Sequence, residues 1–82
     1  MSSTPDYTAY IRDLVYLLRE AGAEAQRERM KTPDSEFAQG RALAYIEVLS
    51  RMQNQADSFM IPRASLGLDG FDPLNDPLDP PQ

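Results

Sequence analysis

Apolar residues recur along the first three quarters of the chain at alternating steps of four and three. Tyr7, Ile11, Leu14, Leu18, Ala21 and Ala25 form one such stripe. Ala38, Ala42, Tyr45, Leu49, Met52, Ala56 and Phe59 form a second. That period belongs to one face of an α-helix, so it predicts two long helices with coiled-coil-like seams, over about residues 5–30 and 33–60. The tripeptide Thr-Pro-Asp precedes both, at Thr4-Pro5-Asp6 and Thr32-Pro33-Asp34. Thr is suited to capping free amides, Pro to the first helical position, and Asp to the positive end of the helix dipole.

The short bend Lys31-Thr32-Pro33 makes the helices antiparallel neighbours in a hairpin. Facing residues then have numbers that sum to roughly 65. This sets Leu14 and Leu18 beside Val48 and Leu49, with Met52 nearby. Toward the bend, Ala21, Gly22 and Ala25 come beside Gly40, Leu43 and Ala44, where small side chains let the backbones approach. A Gly inside a helix costs about 1 kcal/mol against Ala, and close packing is the expected compensation at Gly22 and Gly40.

One stripe does not use all the apolar residues. Leu14-Val15-Tyr16-Leu17-Leu18 covers nearly the whole circumference of helix 1, and Leu43, Ile46 and Val48 flank the seam of helix 2. A lone hairpin leaves this second surface wet, so it calls for a second hairpin, a folded-back tail or a partner. The expected fold is therefore all-α: an antiparallel two-helix hairpin over residues 1–60 that dimerises into a four-helix bundle. Tyr10, Leu14, Leu17, Tyr16 and Ile46 are the candidate residues for the dimer or partner interface.

Beyond Phe59 the pattern breaks at Pro62, Gly67 and Gly70, then at Pro73, Pro77, Pro80 and Pro81. Residues 61–71 carry apolar groups able to dock, with Leu66, Leu68 and Phe71 as candidate anchors. Residues 72–82 read as an extended, acidic, Pro-rich tail. Two readings of the tail follow. Either residues 61–71 fold over their own bundle and the last stretch stays solvated, or the last stretch is a recognition arm. In the second reading Asp72, Leu74, Asp76 and Leu78, from the repeated Asp-Pro-Leu, meet a partner.

Size and composition narrow the chemistry. A chain of 82 residues holds one domain at most. A core of that size stabilises by roughly 3–5 kcal/mol unless stapled. There is no Cys and no His, which removes disulfides, thiolate or imidazole metal sites, and Cys- or His-based catalysis. Glu20, Glu24 and Glu28 form a carboxylate row, but Arg19, Arg27, Arg29 and Lys31 are interleaved with it, so a solvated, self-compensated face is expected. No phosphate loop or nucleophile elbow is present. The reading is of no enzyme, no metal and no cofactor.

The net charge of −5 accumulates toward the C-terminus, where residues 59–82 hold four acids and one base. Direct nucleic-acid or anionic-membrane binding is therefore not expected. The longest apolar run is five residues, against the roughly 20 of a membrane span, which suggests a soluble, cytoplasmic protein.

Gln55-Ala56-Asp57-Ser58-Phe59 resembles the Gln-x-x-Leu/Met-Phe pentapeptide by which replication proteins dock on the bacterial sliding clamp. Ser58 replaces the Leu or Met, and a helical setting opposes the extended form, so the match is read as coincidence. The functional expectation is a non-enzymatic protein-binding module: an adaptor, a regulatory subunit, or a phage- or plasmid-type inhibitor of a host protein. Its partners are itself and another protein. The alternatives are an acidic nucleic-acid mimic, and a purely structural oligomer.

Overall fold

The computed structural model describes residues 4–81; residues 1–3, and Gln82 at the end of the expected tail, lie outside the described residues. The architecture is all-helical, with no strand among the described residues. Helix α1 runs Tyr7–Lys31 and helix α2 runs Glu36–Ser58, joined by a short bend, and a single 3-10 turn follows at Arg63–Leu66. The hairpin of the sequence reading is present, with Gly22 set against Tyr45 near the middle of the pair.

The helices begin later than the Thr-Pro-Asp signal suggests. The cap of α1 is Asp6, whose carboxylate accepts from the Ala9 amide at 2.9 Å. The cap of α2 is Ser35, whose hydroxyl accepts from the Ala38 amide at 3.1 Å. At the bend, Thr32-Pro33-Asp34-Ser35 forms a turn closed by the Ser35 amide on the Thr32 carbonyl at 3.0 Å. Pro favours the second position of such a turn, so it shapes the reversal here rather than the first helical residue. Thr32 itself ends α1, its hydroxyl donating to the Glu28 carbonyl at 2.8 Å.

Helix α2 stops in a Schellman-type closure. Met60 takes a left-handed conformation at φ 57°, and the Ile61 amide reaches back to the Ala56 carbonyl at 2.8 Å. The 3-10 turn ends the same way, with Gly67 at φ 73° and the Leu68 amide on the Arg63 carbonyl at 3.0 Å. These two reversals turn the chain back over the hairpin.

The core is thus three-layered in places. Val15, Ala23, Ile46, Leu49 and Ala56 from the helices pack with Leu68, Phe71 and Leu78 from the tail, and Ile11, Leu18, Tyr45, Met52 and Leu66 pack against them. Residues 72–81 are not an extended solvated arm. Asp72 organises a compact turn: its carboxylate accepts from the Leu74 amide (3.1 Å) and the Asn75 side chain (2.7 Å), while Asp76 accepts from the Asp72 amide (2.7 Å). An Asp before a turn serves the backbone in this way. The turn brings Leu78 back to the helices, where it is fully buried.

Gly22 and Gly40 part company. A Cβ on Gly22 would stand 2.7 Å from Leu78 Cδ1 and 3.1 Å from Tyr45 Cβ, so the bare backbone there makes room for the tail as well as for α2. A Cβ on Gly40 would meet nothing within 4 Å. The expected contact of Gly40 with the Gly22 cluster is corrected: Gly40 lies on the exposed side of α2.

Gly40→Ala is therefore expected to raise stability by about 0.5–1 kcal/mol through helix propensity alone. Gly22→Ala should fall short of that gain by about 1 kcal/mol or more, because its methyl group overpacks the site. Urea unfolding of the two variants beside the parent checks both. Deleting residues 72–82 should also lower stability, by about 1.5–3 kcal/mol for the loss of buried Leu78.

Candidate protein-interaction site

Four polar side chains of the helices hold the tail by its main chain, the first being Arg12, which donates to the Ala64 (3.3 Å) and Ser65 (3.2 Å) carbonyls. Arg19 stands four residues after Val15 on α1, on a flank otherwise filled by Val15, Gly22 and Ala23, and is only 5% exposed. Its Nε donates to the Leu78 carbonyl (3.1 Å), one terminal nitrogen to the Gly67 carbonyl (3.2 Å) and the other to the Asp79 carbonyl (2.9 Å). The guanidinium carbon lies over the Phe71 ring, 3.8 Å from its centroid. Burial pushes the Arg19 pKa down, and the nearby carboxylates of Asp69 and Asp79 act in the opposite direction.

From α2, buried Gln53 donates to both the Leu68 (2.9 Å) and Phe71 (3.0 Å) carbonyls. From α1, the Gln26 amide group donates to the Asp76 carbonyl (3.3 Å) and accepts from the Leu78 amide (3.0 Å). No buried side-chain nitrogen or oxygen among the described residues is left without a partner. Exposed ion pairs flank the clasp, Arg27 with Asp79 at 3.0 Å and Arg63 with Asp57 at 2.8 Å. The hydrogen bond from Arg63 lowers the Asp57 pKa and raises that of Arg63.

The residues expected in the tail divide accordingly. Leu68 and Phe71 are buried, Leu66 is half-buried, and all three pack in the core. Of the expected recognition arm, Leu78 is a core residue, Leu74 is exposed, and the Asp72 and Asp76 carboxylates are engaged in their own turn. Arg19, expected on a solvated face, is corrected to a buried clasp. Arg12, Arg19, Gln26 and Gln53 are contributors that periodicity did not single out. The signal of the last three is a polar group standing on an otherwise apolar flank.

The expected interface residues also divide. Ile46 is 7% exposed and belongs to the core, because the tail covers that side of α2; it is withdrawn from the interface. Tyr16 lines a recess with Arg12, Asp69 and Pro80 on the tail side of α1. Tyr10 (64% exposed) and Leu17 (52%) stand with half-buried Leu14 on the flank of α1 turned from Arg19, although Leu17 also borders a recess that reaches Asp79 and Pro80 of the tail. Helical periodicity and the Gly22–Tyr45 register put Val48, 42% exposed, on the same side of α2.

A second apolar opening, of about 420 Å³, lies at the free end of the hairpin between Tyr7, Ile11, Met52, Phe59 and Ile61. Gln55–Ser58 are helical beside it. No cluster of three or more metal-binding side chains exists among the described residues, and no helix there is long and apolar enough to cross a membrane.

Arg19→Lys should lower stability by at least about 2 kcal/mol, since an ammonium cannot reach all three carbonyls and an unpaired buried acceptor costs about 1–3 kcal/mol. Thermal and urea unfolding measure this, and a parent-like curve for Arg19→Lys would show that the carbonyls rehydrate freely. Comparison of the chain with protein-family models, curated proteins and solved structures gave no match.

Proposed function

We propose that this chain is a non-enzymatic protein-binding module that works through the helical face turned away from its tail. The observation that carries this reading is the exposure of Tyr10 and Leu17 on α1 and of Val48 on α2, on flanks turned from the Arg19 clasp. The tail supplies the missing layer on the clasp side. An apolar helical strip of this kind is suited to another helix laid against it.

The simplest occupant is a second copy of the chain, which would make a four-helix bundle with the two tails outermost. A host or regulatory protein offering a comparable apolar helix would use the same strip. The acidic nucleic-acid mimic draws less support, because Asp79 is paired with Arg27 and the Asp72 and Asp76 carboxylates bond within their own turn.

Sedimentation equilibrium tests the reading. At tens of micromolar, the range of ordinary weak association, the parent should sediment as a dimer. Leu17→Glu should sediment as a monomer with its helical circular dichroism intact, since Leu17 is half exposed. A parent that is monomeric throughout this range would remove self-association. A complex with any partner that weakened steeply with salt would favour the mimic.

A further inference from the structure

The tail is held as a bound peptide is held. Among the described residues, no backbone–backbone hydrogen bond joins residues 67–81 to either helix. Instead, side chains of α1 and α2 read the tail's carbonyls at Gly67, Leu68, Phe71, Asp76, Leu78 and Asp79. Apolar anchors fill the sockets between these donors, with Leu78 seated over the bare backbone of Gly22. Main-chain donors supply affinity and sockets supply selectivity, as in peptide-recognition grooves generally.

From this we infer that the groove between α1 and α2 is a binding site for an acidic, turn-containing peptide carrying an aromatic anchor and a Leu-Asp pair, occupied in cis by residues 67–79 of this chain. The chemistry of the ligand is read from the occupant. Phe71 stacks under the Arg19 guanidinium, Leu78 enters the Gly22 socket, and the Asp after it pairs with Arg27 at 3.0 Å. Pro77 and Pro80 on either side of that pair restrict the backbone around it and reduce the entropy lost on docking. The tail and a foreign segment of this chemistry compete for one groove, so whatever releases the tail opens the site. The inference concerns the Arg19 and Gly22 flank of α1 and does not depend on the proposal for Tyr10 and Leu17.

The test uses the full chain and a dye-labelled synthetic peptide of residues 67–81, followed by fluorescence anisotropy. A tethered tail competes at an effective concentration on the order of millimolar, so the parent should bind the peptide weakly. Leu78→Asp, which expels the tail's own anchor, should bind it at least about tenfold more tightly. Adding Gly22→Leu to Leu78→Asp plugs the socket and should abolish that gain. A helical Leu78→Asp protein with no tighter binding than the parent would overturn the proposal. So would a gain that survives Gly22→Leu. Where Leu78→Asp loses its helical signal, the parent is titrated by NMR with peptide to about 5 mM, comparable to the tether's effective concentration. Shifts of the Phe71 and Leu78 amides toward free-chain positions support the site, and their absence rejects it.

Discussion

The guanidinium of Arg19 draws three tail carbonyls and the Phe71 ring onto a single planar group. Two antiparallel helices alone cannot enclose a core, because each has a flank that the other does not reach. Here the third layer comes from irregular chain, and irregular chain carries unpaired peptide groups. Burying a peptide carbonyl without a donor is unfavourable by a few kcal/mol. Arg19, Gln53 and Gln26 supply those donors from the helices, so the chain between Gly67 and Asp79 can cross apolar surface without forming a helix or a strand of its own.

The same requirement explains the residues of the tail. Gly67 and the turn at Asp72 set its direction, and Leu68, Phe71 and Leu78 fill the space that the carbonyl contacts leave. Gly22 is part of this arrangement, for its missing side chain is where Leu78 sits. A small chain without cysteine thereby gains a layer of core from about a dozen Pro- and Asp-rich residues. The stabilising contacts lie far apart in sequence, between residues near 19–26 and those near 67–79.

Covering one flank leaves the molecule two-sided. On the tail side, polar groups are paired within the chain; on the other, Tyr10, Leu17 and Val48 remain in contact with solvent. An apolar strip with no intramolecular cover is the surface on which the functional proposal rests. A groove filled by the chain's own tail is the basis of the further one. They rest on different residues and respond to different substitutions.

The two helices, their antiparallel order and the seam through Ile11, Leu18, Ala42 and Leu49 were legible in the sequence. Helical periodicity is a local property and needs no knowledge of the partner surface. Composition likewise excluded disulfides and imidazole metal sites, since the chain holds neither Cys nor His. The cap positions were missed by a few residues, because Asp6 and Ser35 cap the Ala9 and Ala38 amides while Thr32 closes the end of α1 instead. The roles of Gly22, Arg19 and Leu78 were decided only by tertiary structure. Nothing local separates Gly22 from Gly40, or Leu78 from Leu74, until the Asp72 turn fixes which of them meets the helices. An Arg beside glutamates looks solvated in sequence, and only a chain segment some fifty to sixty residues away makes it a buried clasp.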